Sequence, residues 1–360
     1  LIYPYMTAKN GWQSFLHVIN TSGTTVAAKV RFRAATDSAD VLDFVLVLSP
    51  YDVWTGVVEQ GVDGSYGFRP TDNSCTAPVI GKDVFQPFPV QTPEVYAEVI
   101  TMGVTTSTSG TLAKAAKHDA SGMPANCGVV AAAFQGGGAS ALEEFDPGVT
   151  SGGVSLNSTD TNYLTGKFDL VHVAKGWSGA DRATALKNFG APTCGDDCTT
   201  YASTFDGPMF ANTNMWQQIY GDWDHPTLAE GQGGLPATNN ALTKQALINE
   251  WVLNPNLGEL SPWIVTFPTK RLSVEAISTY NGDARYANEQ LPTTFGTGAD
   301  NCIASKALIY NREELTLQGG VSPGATMPSL CYEANVINFS SGSINSSSVL
   351  NSSVAVTFPT

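Results

Sequence analysis

The sequence predicts an all-β protein with a sandwich-type core, either jelly-roll or immunoglobulin-like, together with a loop-rich insertion and few short helices. Strand-length segments of alternating or continuous apolar residues favour this class. Clusters of Gly, Pro, Asn and Asp separate these segments, and helical periodicity is scarce. The 360 residues are 42% hydrophobic and 14% charged, which is typical of an ordered globular chain.

The clearest strands lie in the first 50 residues. Apolar side chains at even positions from 26 to 32 alternate with Ala27, Lys29, Arg31 and Arg33, so one face is expected in a core and the other in water. The continuous apolar run over residues 41–48 indicates a strand that is buried on both faces. Further strands are predicted at residues 12–20, 95–104, 127–134, 166–174 and 263–269.

Two helices are expected, at residues 111–119 and 242–253. From about residue 176 to 258 the strand signal fades into Gly, Asn, Thr and Trp, which indicates a loop-rich insertion on the β scaffold. The predicted organisation is therefore a sandwich core over residues 1–339 that carries this insertion. A tail over residues 340–360 follows, consisting of a Ser-rich linker and a terminal strand.

The charge of the chain excludes one class of partner. The net charge is −14 and no basic run is present, so phosphate backbones would be repelled and nucleic acid is not expected to bind. No apolar run approaches the ~20 residues that cross a bilayer, so membrane insertion is not expected either. The chain begins at Leu1 without a charged and apolar leader, which is typical of a mature secreted protein.

The six cysteines favour disulfides in an oxidising compartment, because their spacing does not suit a zinc site. Pairing in sequence order is the simplest hypothesis, although six cysteines allow 15 connectivities. This hypothesis pairs Cys75 with Cys127, Cys194 with Cys198, and Cys302 with Cys331.

The C-terminal tail combines a flexible segment with a β pattern. Residues 340–353 are Ser-rich, and Val354, Val356 and Phe358 then alternate with smaller residues. We expect this strand to be exchanged between subunits, filling a free sheet edge in a neighbour. Residues 1–6 are the alternative donor, and the tail could instead close the sheet of its own subunit.

Several segments resemble a family of secreted proteobacterial surface proteins without an established activity. These segments are YPYMTAKNGWQSFLHVINT, AAKVRFRAATDSADVLDFVLVLSPYDVWTG, EVYAEVITMG, ALINEWVLNPNLGELSPWIVTFPTKR and LCYEANVINF, spread from residue 3 to 339. The resemblance implies an exported protein at the cell surface or outside the cell, and some members of the family are expected to build extracellular fibres. It supplies no catalytic motif.

The motifs for enzymatic chemistry are weak, so no enzyme is predicted. Gly320 to Gly324 reads G-x-S-x-G, but Pro323 and a Gly-rich loop replace the helix that a nucleophile elbow requires. No cofactor is expected apart from a calcium ion, which accepts carboxylates and amides in flexible geometry. The calcium candidates are Asp160, Asn162, Asp196 and Asp197.

Covalent and bound sugars are both considered. N-x-[ST] sequons predict possible glycosylation sites at Asn20, Asn157, Asn338, Asn345 and Asn351. Trp12, Trp54 and Trp263 lie in strand patterns and are expected to pack in the core, whereas Trp177, Trp216 and Trp223 lie in the insertion. The insertion tryptophans could stack on sugars or bury an interface.

The sequence therefore predicts an extracellular structural protein whose subunits assemble into a fibre, a pilus-like filament or a surface array. Its expected partner is a second copy of the same chain. The alternative function is a secreted carbohydrate-binding module that uses the tryptophans of the insertion.

Overall fold

The computed structural model describes residues 1–105, 108–134, 154–155, 163–185, 193–194, 242, 248, 261–268, 270, 302, 330–340, 343–347 and 355–357. Antiparallel strands dominate these residues, which confirms the predicted all-β class. The chain divides into a first unit, residues 1–33 and 40–243, and a second unit, residues 34–39 and 244–360. This division differs from the single core over residues 1–339, because local periodicity does not reveal which strands share a sheet.

Two sheets form the first unit. The five-stranded sheet has the order β1-β9-β3-β4-β7, and the six-stranded sheet has the order β12-β11-β2-β5-β6-β8. The strands of the five-stranded sheet are β1 (Ile2–Thr7), β3 (Val26–Ala34), β4 (Asp40–Leu48), β7 (Cys75–Ala77) and β9 (Glu94–Val104). Those of the six-stranded sheet are β2 (Gln13–Asn20), β5 (Val53–Gln60), β6 (Tyr66–Pro70), β8 (Gln86–Pro87), β11 (Leu164–His172) and β12 (Trp177–Arg182). A two-residue ladder pairs β10 (Val154–Ser155) with β13 (Thr193–Cys194).

Aromatic side chains from both sheets meet in the core of the sandwich. Phe32 and Phe44 come from the five-stranded sheet, and their rings lie 5.0 and 5.8 Å from that of Phe68 in the six-stranded sheet. Trp54 lies 5.5 Å from Phe68 and is fully buried, as the sequence predicts. These ring pairs bury large apolar surfaces, so they contribute much of the hydrophobic stabilisation of the unit.

The prediction that one face of β3 meets water is wrong. All nine residues of the strand are buried, including Lys29, Arg31 and Arg33. Each of these cations has an acidic partner on a neighbouring strand of the same sheet or at its start: Lys29 pairs with Asp43, Arg31 with Asp40, and Arg33 with Glu98. Period-two alternation therefore separates the two faces correctly, but the polar face is stabilised by ion pairs instead of water.

The predicted strand over residues 127–134 is also wrong, because Cys127–Ala132 forms the helix α2. Asn126 caps it, since its side-chain oxygen accepts a hydrogen bond from the N–H of Val129. The alanines that follow favour helix more strongly than strand. The short helix predicted at residues 111–119 is present as α1, Thr111–Ala116.

The second unit contains a four-stranded antiparallel sheet in the order β14-β15-β16-β17. Its strands are β14 (Ser261–Thr266), β15 (Ala334–Ser340), β16 (Ser343–Ser347) and β17 (Ala355–Thr357). Part of the Ser-rich segment is therefore strand β16, which differs from the predicted linker. Ser can take part in a ladder because pairing uses only main-chain groups.

The insertion also differs from its prediction at its start, because Trp177–Arg182 forms the edge strand β12. Most of the remaining insertion and of the predicted helix at 242–253 lies outside the described residues. No helix among the described residues is long and apolar enough to span a membrane.

Candidate functional site

Two tryptophans meet at one end of the six-stranded sheet and form the main candidate site. We call the group of Trp12, His172, Lys175 and Trp177 the Trp12–Trp177 cluster. Trp12 directly precedes β2, and the other three residues lie at the turn that joins β11 to β12. Since β2 and β11 are neighbours in the sheet, their ends bring the two indoles together.

The same local backbone structure precedes each tryptophan. A 3₁₀ turn over Lys9–Gly11 precedes Trp12, and another over Val173–Lys175 precedes Gly176 and Trp177. Gly11 and Gly176 have φ angles of +85° and +65°, in the left-handed region that favours glycine. Each tryptophan therefore follows a glycine that turns the chain sharply into a strand.

The rings of Trp12, His172 and Trp177 form a triangle of mutual contacts. The imidazole meets Trp12 edge-on at 5.4 Å and Trp177 at 6.0 Å, and the two indoles lie 6.3 Å apart with their planes tilted by 39°. His172 is buried, whereas both indoles are only half-buried. No described residue hydrogen-bonds its Nδ1, so the imidazole contributes ring packing.

A cation lies over the outer indole. The Lys175 ammonium is 4.3 Å from the centre of the Trp177 ring, a cation–π contact. Lys175 is exposed and forms no ion pair with the carboxylates of the described chain. The cluster therefore combines two half-exposed aromatic rings with one available positive charge.

Three edges of the two large sheets, at β1, β7 and β8, resist the addition of another strand. β1 contains Pro4, which has no N–H to donate, and its register shifts between Tyr3 and Met6. β7 and β8 are only three and two residues long, and β8 contains Pro87. Short strands, irregular register and proline are the usual means of blocking edge pairing.

The edge strand β12 is protected only at its C-terminal end. The N–H of Arg182 donates to the side chain of the preceding Asp181 at 2.7 Å. Two residues further on, Thr184 exchanges both main-chain hydrogen bonds with Ile2, each at 2.8 Å. The outer edge of β12 is therefore partly occupied by groups of its own chain.

The edge strand β17 is as short as β7, with three residues, but its described residues lack the other protections. Ala355, Val356 and Thr357 include no proline and no charge, and they pair with β16 in regular register, with Val356 opposite Ile344. The opposite edge strand of this sheet, β14, contains Pro262. Among the described residues, the edge at β17 is therefore limited by its length but not by proline, charge or irregular register.

A grouping of Ser, His and Asp lies near the turn between β4 and β5. Asp52 Oδ2 accepts hydrogen bonds from the N–H and hydroxyl of Ser49, both at 3.1 Å, and from Ser74 at 3.4 Å. His118 Nδ1 is 3.3 Å from the same oxygen and 3.4 Å from Ser49 Oγ. A nucleophile and an orienting carboxylate must contact opposite nitrogens of the base, so this arrangement is not a catalytic relay.

The structure contains two of the three predicted disulfides, Cys75–Cys127 and Cys302–Cys331. Cys194 lies in β13, and Cys198 lies outside the described residues. The four calcium candidates, Asp160, Asn162, Asp196 and Asp197, lie outside them as well. Within the part of the chain that is described, no three His, Cys, Asp or Glu side chains converge as metal ligands.

The sequons lie in contrasting environments. Asn20 is 1% exposed, and its amide donates to the carbonyls of Thr24 and Ser49 at 2.7 and 2.8 Å. A glycan on Asn20 does not fit this fold, because the amide is buried and its N–H groups are used. Asn338 and Asn345 lie opposite each other on β15 and β16. Asn157 and Asn351 lie outside the described residues.

The residues of the predicted exchange strand are only partly described. Val356 lies in β17 and pairs with β16 of its own chain, while Val354 and Phe358 lie outside the described residues. The alternative donor, residues 1–6, is paired with β9, and Tyr3 and Tyr5 are fully buried. The N-terminal segment therefore completes the sheet of its own chain.

The sequence does not predict the contact between Trp12 and Trp177, because the first lies in a predicted core strand and the second in the predicted insertion. One signal was available: the only two Gly-Trp dipeptides in the chain are those at 11–12 and 176–177, and each follows a nearby lysine. Trp263 is half-buried in β14, and Trp216 and Trp223 lie outside the described residues.

Comparison with known proteins found no matching family model, curated protein or solved structure.

Proposed function

We propose that this protein is an extracellular structural subunit that self-assembles into a fibre or surface array by strand exchange at the edge formed by β16. The observation that carries this proposal is the ladder between β16 and β17. It consists of three residue pairs in regular register, and the described residues of β17 include neither proline nor charge. A second copy of β17 could therefore form the same ladder with β16.

Exchange at this edge conserves the ladder. If β17 of a second copy replaced the chain's own β17, the pairs Ser343–Thr357, Ile344–Val356 and Asn345–Ala355 would form again between subunits. Replacement of β17 by the identical strand of another copy therefore leaves the number of hydrogen bonds nearly unchanged. A higher subunit concentration then favours the exchanged form over the closed one.

The connection between β16 and β17 is long enough to allow the swap. Residues 348–354 provide seven residues between the two strands, more than the two to five of a tight hairpin. Fully extended, such a segment spans about 25 Å.

Two further features support work outside the cell. The disulfides Cys75–Cys127 and Cys302–Cys331 persist in oxidising compartments and are rare in reducing ones. The charge of −14 disfavours nucleic acid as a partner. We propose a structural instead of an enzymatic role, since the Ser49–His118–Asp52 grouping lacks relay geometry.

Cysteine cross-linking between two singly substituted proteins tests the exchange. Ile344→Cys and Val356→Cys chains are mixed, allowed to assemble and oxidised, and the products are separated without reduction. Exchange predicts a covalent dimer that contains one chain of each variant, because residues 344 and 356 are then opposite each other on different subunits. Assembly without this dimer, together with efficient closure within the Ile344→Cys/Val356→Cys double variant, would reject the proposal.

A matched pair in the first unit supplies the control. Val171 and Ser178 are opposite each other on β11 and β12, within one hairpin. Mixed Val171→Cys and Ser178→Cys chains should form no such dimer. Deletion of residues 354–360 should in addition give folded, soluble monomers, and fibres formed by that deletion variant would also contradict the proposal.

A further inference from the structure

We propose that the Trp12–Trp177 cluster binds an acidic polysaccharide, with sugar rings stacked on the indoles and a uronate carboxylate paired with Lys175. This inference goes beyond assembly and does not depend on it, because the cluster lies in the first unit and the exchanging strand in the second. Three properties of the cluster support this assignment: its supporting turns, the exposure of its rings and its charge.

The cluster is positioned by rigid elements on both sides. Each indole follows a 3₁₀ turn and a glycine of positive φ, and each adjoins a strand of the six-stranded sheet. An alanine at Gly11 would place its β-carbon 3.4 Å from the His172 ring, so this turn lies directly against the imidazole. Sites on well-supported elements hold their geometry, which lowers the entropic cost of binding.

The exposed parts of the rings suit sugars. The face of an indole carries negative charge density, and the polarised C–H groups on one side of a pyranose ring can pack against it. Successive pyranoses in a chain are rotated relative to one another, and the two indoles are likewise tilted by 39° at a separation of 6.3 Å. Two neighbouring sugars of one chain can therefore contact one ring each.

Lys175 selects the charge of the ligand. Its ammonium lies over the ring of Trp177 and forms no ion pair with a carboxylate of the described chain, so the exposed side chain would turn from the ring to a bound uronate and leave that face to the sugar. A cation kept beside an aromatic platform, on a protein of net charge −14, favours a ligand that brings its own carboxylate. The long-range field of the protein repels polyanions, and salt screens this repulsion more than the local contact, so moderate salt should favour binding.

Binding to polygalacturonate tests the proposal, with a soluble uncharged β-glucan as the comparison polymer. Affinity electrophoresis of the full chain measures retardation by each polymer, and light scattering of the same samples follows assembly. We expect retardation by polygalacturonate, at least tenfold weaker binding for Trp177→Ala and Trp12→Ala, and severalfold weaker binding for Lys175→Ala. Val173→Ala, which changes an exposed residue in the same turn, should bind like the unaltered chain.

Each other outcome overturns part or all of the assignment. Absence of binding by the unaltered chain, or unchanged binding by Trp177→Ala, rejects the cluster as a polysaccharide site. Equal binding of the uncharged glucan, with no effect of Lys175→Ala, rejects the acidic ligand. Trp177→Phe keeps an aromatic face and should recover most of the affinity, and its failure to do so would reject stacking. Loss of binding while scattering remains normal separates this result from a failure of strand exchange.

Discussion

Tyr3 and Gly166 are in direct contact across the sandwich, and the contact leaves no room for a side chain at position 166. Tyr3 belongs to β1 of the five-stranded sheet, and its hydroxyl donates to the main-chain carbonyl of His17 on β2 at 2.7 Å. A β-carbon at Gly166 would overlap the Tyr3 hydroxyl. The phenol thus bridges the two sheets over a glycine, and burial raises the pKa of Tyr3 above its ordinary value.

Gly166→Ala should destabilise the first unit for this reason. Overpacking of a filled core costs about 1–3 kcal/mol, and the neighbouring main chain cannot easily shift to make room for the added methyl group. Gly179→Ala is the matched control, because Gly179 lies on the adjacent strand and a β-carbon there would meet no atom within 4 Å. The control should change the unfolding free energy by less than about 0.5 kcal/mol. Urea unfolding of both variants measures the difference, and equal midpoints would contradict the packing argument.

Glu98→Gln should be costly because it removes the carboxylate that Arg33 contacts in a buried setting. Arg33 Nε lies 3.1 Å from Glu98 Oε2, and both residues are buried. Burial disfavours the charged form of Arg33 and lowers its pKa. The attraction of the Glu98 and Asp40 carboxylates is stronger, so the pKa of the guanidinium is raised. Breaking one side of a buried pair costs about 3–5 kcal/mol.

Asp83→Asn provides the comparison for an exposed pair, since Asp83 contacts Arg69 at 3.1 Å at the surface. Its loss should cost less than about 1 kcal/mol. Thermal unfolding of the two variants should therefore show a large shift for Glu98→Gln and a small one for Asp83→Asn. Similar shifts would show that the charges on β3 are not desolvated.

The disulfide Cys75–Cys127 should hold α2 against β7. It closes a loop of 52 residues, so the chain-entropy relation gives about 4 kcal/mol of stabilisation. Cys75→Ala/Cys127→Ala should lose stability on that scale and gain hydrogen exchange in residues 127–132. Val129→Ala, at a partly exposed position of the same helix, should leave exchange nearly unchanged. Unaltered protection in the double variant would show that packing alone retains the helix.

Acidification below about pH 6.5 should weaken the fold partly through His17. Burial and the nearby Lys167 lower the pKa of this imidazole, although Asp169 at 3.0 Å opposes the shift. A lowered pKa means that the folded state binds the proton less readily than the unfolded state. The contribution of His17 is therefore complete above the unfolded pKa and is lost as the pH falls through the folded one.

His17→Gln should flatten this pH dependence, because glutamine does not titrate. Unfolding free energies measured between pH 7.5 and 5 should fall less steeply for the variant than for the unaltered chain. A steeper fall for His17→Gln would mean that protonation of His17 stabilises the fold, contrary to the direction of the shift.

The sequence alone determined five strands of the first unit, since β2, β3, β4, β9 and β11 lie where apolar patterns predict them. In β2, every second residue from Ser14 to Asn20 is buried, and β11 alternates in the same way from Leu164 to His172. Period-two patterning is a local property of extended backbone, so it can be read without knowing the neighbours. The disulfides Cys75–Cys127 and Cys302–Cys331 also followed the simplest sequential hypothesis.

Only the tertiary structure decided what each face meets. Lys29, Arg31 and Arg33 alternate as a water-facing strand would, yet Asp43, Asp40 and Glu98 supply partners from other strands and allow the face to be buried. Trp12 and Trp177 are 165 positions apart in the chain and become neighbours because β2 pairs with β11. Strand pairing and the layer that covers a face depend on distant residues, and local periodicity carries no information about them.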